Sequence, residues 1–319
     1  MKSEEALQEA VPGIISGIAR CRECPVGINL KKGVRLAGQK AVSEALADLL
    51  AALFPGCHGC ADMREKDIEE TVSCKLRATA AELRNQCARA FAYELNTKET
   101  ESSKDRHIDR ADEAVARLIE ALPQIQLILQ DDITAGYKGD PAAKSTMEVV
   151  LSYPGFKAVA AHRIAHVLYC AGVPLIPRMI SEDAHARTGI DIHPGATIGR
   201  GMFIDHGTGT VIGETCVIGN EVKIYQGVTL GALSFALDDK GNPLKGRKRH
   251  PDVEDNVTIY SGATILGNIT IGRHSVIGGN VWLTHTVPAF SRVYNRQPTP
   301  LVKQDDGKWK PWQDPGAGI

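Results

Sequence analysis

A chain of 319 residues has room for a large core and for two domains. Its 37 Lys and Arg nearly balance 38 Asp and Glu, a formal net charge of −1, so it lacks the basic footprint of a nucleic-acid binder. Residues 1–10 are acidic and polar rather than basic and then apolar, and the most apolar stretch, residues 45–54, is far too short to span a bilayer. The expectation is a soluble, cytoplasmic protein with no membrane association.

Residues 1 to about 135 read as helical. Apolar residues recur at three- and four-residue spacing over 3–19, 37–54, 61–96 and 108–130. A turn-rich connector covers 25–34, and the charged stretch 97–109 reads as a solvated bridge. Eight cysteines are present. Without a secretory signal they are not expected to form a disulfide framework. Cys21-x-x-Cys24 and Cys57-x-x-Cys60 form two CxxC pairs, but their 32-residue spacer exceeds the zinc-ribbon range, so reduced or core cysteines are favoured over a structural metal site. Cys74 and Cys87 lie on a helical pattern and read as small buried hydrophobes.

Residues 135–141 break the helical pattern. Asp140, before Pro141 and a short helical run, has the setting of a helix-capping carboxylate. Tyr153-Pro154-Gly155 opens a further helix to about 171 that carries His162, Arg163 and His166. The two histidines are spaced i, i+4, but no glutamate follows His162, so a packed or polar-face role is favoured over a metal site. A short helix over 174–186 leads into a different pattern.

That pattern has a period of six. Val253, Ile259, Ile265, Ile271, Ile277 and Leu283 recur at unbroken six-residue spacing, as do Ile212, Ile218, Ile224 and Leu230, and Ile192, Ile198 and Ile204. Neither a helix nor a strand has this period; a parallel β-helix built on hexapeptides does. The rhythm fails twice. Ile204 to Ile212 is eight residues, with the excess around Asp205-His206-Gly207. Leu230 to Val253 reads as an extruded loop over 232–252 that ends in Arg249-His250-Pro251. Insertions in such arrays map to loops, often on the binding face.

These breaks concentrate the candidate chemistry. With about eighteen residues per coil, Asp191 can sit on the same edge as His206. A carboxylate beside an imidazole stabilises its protonated form, which makes His206 a competent general base. Asp205 adds negative charge and Arg249 a planar cation suited to a carboxylate, so the set suits a zwitterionic small molecule. His193, His206, His250, His274 and His285 are numerous enough to raise a metal-dependent β-helix hydratase as a rival. A hexapeptide acetyltransferase acting on a sugar or another hydroxyl is a second rival.

The motifs DIHPGATIGRGMFIDHGTGTVIGET, YQGVTLGA, KRHP and ATILGNITIG together resemble the serine O-acetyltransferases of cysteine biosynthesis, over residues 140–293. The resemblance implies an α+β chain: an α-helical N-terminal domain over 1–188, a left-handed parallel β-helix over 189–294, and a flexible C-terminal tail over 295–319. It implies acetyl transfer from acetyl-CoA to the L-serine hydroxyl with no catalytic metal. His206 falls on the family's catalytic histidine and Asp191 on its partner. Asp140 and Asp205 fall on the residues that meet the serine ammonium, and Arg249 and His250 on those that meet its carboxylate. By position, Gly231, Ala232, Ser261, Gly262 and Gly279 fall where CoA runs along the coils between subunits. Ala232 stands where the family has a second glycine, and the loop over 233–248 is longer than in the best-known members. The first hundred residues show no match, so a homotrimer is expected more firmly than a dimer of trimers. The resemblance also implies feedback inhibition by cysteine at the serine site. The C-terminal Ile319 falls where the family inserts an isoleucine tail into O-acetylserine sulfhydrylase, the cysteine synthase.

Overall fold

The computed structural model describes residues 8, 10–17, 36–58, 65–94, 101–234, 236–296, 301–303 and 309–311. Cys21, Cys24, Cys60, the 25–34 connector and Ile319 lie outside them.

Among the described residues, 10–17 are helical, and between Gln39 and the repeats lie α1 (Gln39–Leu53), α2 (Ile68–Glu94), α3 (Glu101–Gly139), α4 (Thr146–Ser152), α5 (Pro154–Cys170) and α6 (Ile176–Thr188). α3 runs 39 residues, through charged positions expected to form a bridge and through Pro123. Its Glu, Lys, Arg and Ala are strong helix formers, and Ala111, Ala114, Leu118, Leu122, Ile125 and Leu129 bury one continuous stripe. The helix stops at Gly139, ahead of Asp140-Pro141. Asp140 is not a helix cap. Its Oδ1 accepts the Ala142 N–H at 2.8 Å within a turn, and Ser145 caps α4 by accepting the Glu148 N–H. Cys87 is fully buried as expected, and burial pushes its thiol up to about 12; Cys74, on the same helix, is exposed.

α5 is the central helix. His162 is buried, while His166 Nδ1 lies 2.8 Å from the Pro194 carbonyl. Two contacts fix α5 to the first coil. A Cβ at Gly155 would lie 2.0 Å from the Ile204 carbonyl oxygen, so only glycine allows this approach. Buried Arg163 donates to both oxygens of Asp132 on α3, at 2.7 and 2.8 Å, and to the carbonyls of Ile198 and Gly199. Asp132 also accepts the Met202 N–H at 2.8 Å. Helix α6 ends on left-handed Gly189, φ 71°, and the chain enters the repeats two residues later.

The repeats form a three-sided parallel β-helix. Sheet 1 is β1 (Asp191–Ile192), β4 (Val211–Ile212), β7 (Thr229–Gly231), β10 (Thr264–Leu266) and β13 (Trp282–Leu283); sheet 2 is β2 (Thr197–Ile198), β5 (Val217–Ile218), β8 (Asp252–Val253) and β11 (Thr270–Ile271); sheet 3 is β3 (Phe203–Asp205), β6 (Lys223–Tyr225), β9 (Thr258–Ile259), β12 (Val276–Ile277) and β14 (Arg292–Val293). The registers reproduce the hexad. Ile192, Ile212, Leu230, Ile265 and Leu283 stack on sheet 1. Ile198, Ile218, Val253 and Ile271 stack on sheet 2. Ile204, Ile224, Ile259, Ile277 and Val293 stack on sheet 3. Most of these side chains are fully buried, each stabilising the array by about 1.5–3 kcal/mol.

The long insertion joins β7 (Thr229–Gly231) to β8 (Asp252–Val253) and carries its own small hairpin. Leu237 bridges Pro243, and the Asp238 carboxylate closes the turn on the N–H groups of Lys240 and Asn242. Within the tail, which composition predicts to be flexible, β15 (Leu301–Lys303) and β16 (Trp309–Pro311) pair antiparallel.

Candidate active site

The two failures of the hexad open onto two different edges of the prism. β3 (Phe203–Asp205) ends sheet 3 and β4 (Val211–Ile212) begins the next strand of sheet 1. Residues 206–210 therefore turn the edge between sheets 3 and 1. The extra residues are absorbed by His206 at φ 56°, Gly207 at φ 80° and Gly209 at φ 78°. Left-handed backbone recurs at the corners of this prism, at Glu221, Asn256, His274 and Asn280 as well, so it belongs to the turn and does not by itself single out His206. His206 is exposed, with 70% of its side chain accessible, while its neighbour Asp205 is buried. Nδ1 of His206 lies 3.6 Å from Asp205 Oδ1, an ion-pair distance rather than a hydrogen bond.

Asp140 belongs to the same edge. Its Oδ2 accepts the Tyr153 hydroxyl, and Oδ1 the Ala142 N–H. The Tyr153 hydroxyl, then the Ala142 N–H, hold its carboxyl below the usual range, with smaller help from the charges of Lys223 and His206. The same bond pushes the Tyr153 phenol up to about 12. Lys223, one coil on from Phe203, donates to the Gly139 carbonyl and lies 4.9 and 4.8 Å from the Phe203 and Tyr225 ring centroids.

Asp191 starts β1 beside this edge, since Gly209 stacks on Gly189 through an N–H···O bond of 2.8 Å. Its ion-pair partner is Arg178 on α6, at 3.9 Å, whereas the carboxylate within ion-pair distance of His206 is Asp205. Asp191 and His206 thus share an edge without sharing a hydrogen bond. Glu182, His185 and Asp191 each offer one ligand atom within 4.8 Å of the others, but Arg178 already engages both carboxylates.

Arg249 and His250 lie on the next edge, between sheets 1 and 2. Topology requires this: β7 is in sheet 1 and β8 in sheet 2, so whatever joins them returns there. Arg249 donates to Glu214, whose other oxygen accepts the Tyr169 hydroxyl at 2.9 Å. His250 is buried over the preceding coil. A Cβ at Gly213 would lie 2.1 Å from its Cδ2, so glycine leaves the space for the ring. Its Nδ1 accepts the Thr215 N–H at 3.1 Å, which places the ring proton on Nε2. Burial, then the Arg249 charge, push its pKa down to about 4, so it is a neutral donor at neutral pH. His193, on this edge in the coil before, is also pushed down by burial, and its Nδ1 accepts the Gly195 N–H at 3.0 Å.

The positions matched to CoA divide between the same two edges. Ser261, Gly262 and Gly279 follow sheet-3 strands on the His206 edge, where Asn280 N–H reaches the Ser261 carbonyl at 2.9 Å. Gly231 ends a sheet-1 strand and Ala232 follows it, on the Arg249 edge. Sequence reasoning assigned no role to Tyr153, Lys223, Glu214, Tyr169 or Gly213. Glu214 and Gly213 lie inside a quoted motif; Tyr153 and Tyr169 carry no spacing signal.

A family model described as "Serine acetyltransferase, N-terminal" matches residues 64–161, and one described as "Bacterial transferase hexapeptide (six repeats)" matches 250–285. A plasmid-encoded serine acetyltransferase of Synechococcus elongatus is 46% identical over 263 residues, 82% of each chain. The chain belongs to the serine acetyltransferase family. It is therefore an acyltransferase. The serine acetyltransferase of Bacillus subtilis is 50% identical over 166 residues, covering 52% of this chain and 72% of its own. Among solved structures, Entamoeba histolytica serine acetyltransferase 1 in complex with L-cysteine superposes with a TM-score of 0.69 at 38% identity, over 82% of this chain and 88% of that one. The Neisseria gonorrhoeae enzyme in complex with serine gives 0.51 at 28% identity, over 82% of this chain and 96% of its own. The N-terminal family match reaches back to residue 64, into helices α2 and α3, where the sequence had suggested no kinship.

No helix among the described residues is long and apolar enough to cross a membrane.

Proposed function

We propose that this serine acetyltransferase moves the acetyl group of acetyl-CoA directly onto the L-serine hydroxyl with His206 as general base. The observation that carries the reading is the exposed His206 imidazole, turned out of the edge by left-handed backbone beside the carboxylates of Asp205 and Asp140. Nδ1 faces Asp205, which leaves Nε2 for the substrate. Nε2 takes the hydroxyl proton as the serine oxygen attacks the thioester carbonyl. The C–S bond then breaks, and the imidazolium returns that proton to the CoA thiolate. Asp205, at Nδ1, and Asp191, on the same edge, favour the imidazolium through their negative charge, and Asp140 and Asp205 hold the serine ammonium. Arg249 and neutral His250 hold its carboxylate, the first through its guanidinium, the second through Nε2–H. No step calls for a metal.

Within one chain these groups face different edges, so we place the complete site between neighbouring copies. The His206 edge of one meets the Arg249 edge of the next, in a trimer. The split of the CoA positions over the same edges supports this. CoA release with L-serine against other hydroxyl acceptors tests the substrate. His206→Ala lowers turnover by about 10²–10⁴ with folding intact; near-native turnover would overturn the base assignment. Arg249→Ala raises the serine KM; an unchanged KM removes the carboxylate role. We further propose Ile319 as the anchor for O-acetylserine sulfhydrylase. Pull-down with and without this residue decides it, and equal recovery removes the anchor.

A further inference from the structure

We infer that the cavity between α1, α5 and α6 is an effector site for a small apolar monoanion, coupled to the serine site. The cavity is about 730 Å³, the size of a small-molecule site. Leu46, Leu50, Ala161 and Ala184 contribute apolar wall. Among the described residues, the charged groups at its rim cancel in pairs, with one exception. Lys75 meets Asp48 at 2.6 Å, and Arg187 meets Asp183 at 3.1 Å. Lys157, in the first turn of α5, also lines the cavity. Its amine has no ion pair or hydrogen bond among the described residues. His58 across the cavity does not neutralise it. Burial first, then the Lys157 charge, push the His58 pKa down, so that ring is neutral at neutral pH. The α5 N-terminus adds the positive end of a 17-residue helix. Among the described residues, one uncompensated positive charge beside apolar wall matches one negative charge on an apolar body. A neutral molecule leaves Lys157 unpaired, and a dianion introduces a charge with no partner.

The walls lead directly to the site residues. Ser152 and Pro154 line the cavity on either side of Tyr153, whose hydroxyl holds Asp140. Arg187 and Thr188 line it at the end of α6, which passes through Gly189 into Asp191. A ligand that tightens this cavity bears on both positions at once. This coupling rests on the roles proposed above for Asp140 and Asp191; the binding does not.

The test uses the full chain and 4-phenylbutyrate as probe, with its neutral amide and the variant Lys157→Gln as controls. Calorimetry is expected to show saturable binding of the carboxylate, weakened about tenfold or more both by the amide and by K157Q. The imidazole resonances of His58 should titrate at higher pH when the carboxylate is bound, because the anion offsets Lys157. A thermal melt confirms that K157Q is folded. No binding to the native chain, as when the chain's own residues fill the cavity, overturns the site. Binding that K157Q leaves unchanged overturns it equally. Coupling predicts that 4-phenylbutyrate shifts the serine KM of the native chain and not that of K157Q. Lysine-dependent binding with an unmoved KM overturns the coupling alone.

Discussion

Replacing Gly213 by alanine tests the proposed carboxylate-binding half of the site without touching a polar group. An alanine Cβ would lie 2.1 Å from His250 Cδ2, 2.3 Å from Nε2 and 2.7 Å from Cγ. Carbon atoms in contact sit about 3.5–4.0 Å apart, so the ring has to retreat by roughly 1 Å or more. It has little freedom to do so. The ring is buried, and its Nδ1 is held by the Thr215 N–H at 3.1 Å and lies 2.9 Å from the Thr215 hydroxyl. Overpacking of this kind costs about 1–3 kcal/mol, and misplacing a positioned group by about 1 Å can cost 10²-fold in rate. The assay is kcat/KM for serine at saturating acetyl-CoA. A fall of about 10- to 100-fold, carried mainly by the serine KM, is expected. The double variant with His250→Ala should equal His250→Ala alone, because the added methyl then has no ring to displace. An unchanged serine KM, in a variant with native circular dichroism, would falsify the placement of His250 on the substrate.

Two further outcomes follow from buried groups on α5. Arg163→Met leaves Asp132 buried with only the Met202 N–H and should cost about 3–5 kcal/mol. At fixed protein concentration that is a drop in Tm of roughly 6–20 °C, and a drop near zero would mean that the pair does not join the helices to the first coil. His162 is buried, and burial pushes its pKa well below 6.5. As pH falls below 6.5 the unfolded chain takes up a proton that the folded chain refuses, so stability declines through that window. His162→Leu should flatten the acid side of the stability curve, read by denaturant unfolding at several pH values; an unaltered slope would show that His162 does not stay neutral in the fold.

The β-helix was legible because a period of six survives any substitution among aliphatics, and the observed registers stack the very residues that mark it. The breaks were legible for the same reason. Which edge each break reaches follows from strand bookkeeping: eight residues after Ile204 stay at the turn from sheet 3 to sheet 1, whereas the insertion after Gly231 returns between sheets 1 and 2. Grouping Asp191, Asp205, His206, Arg249 and His250 by their chemistry hid that separation. Helical readings failed where charge was taken for solvation. The charged start of α3 carries strong helix formers and, beyond it, Ala111 and Ala114 on the buried stripe. The contact between Tyr153 and Asp140 left no trace in the sequence. It joins two helix-boundary residues through a turn and a packing angle, neither of which has a period.

The two edges separate the proposed groups within a single chain. On the proposed roles, an ammonium held at Asp140 and Asp205 and a carboxylate held at Arg249 and His250 belong to one small amino acid, so the two half-sites would have to come together on a few ångströms of substrate. Folding cannot do this within one prism, where a whole sheet face intervenes; cyclic association can, because each copy offers both edges in the same sense. Subunit mixing tests the consequence. His206→Ala chains keep an intact Arg249 edge, and Arg249→Ala chains keep an intact His206 edge. In trimers reassembled from equal amounts, a given interface joins the two intact edges with probability about one in four. Activity at subsaturating serine should therefore rise from the near-zero level of either variant alone to about a quarter of native. If mixed trimers, verified by differential tagging, stay at the level of the separate variants, then both half-sites belong to one chain, and the composite site is wrong.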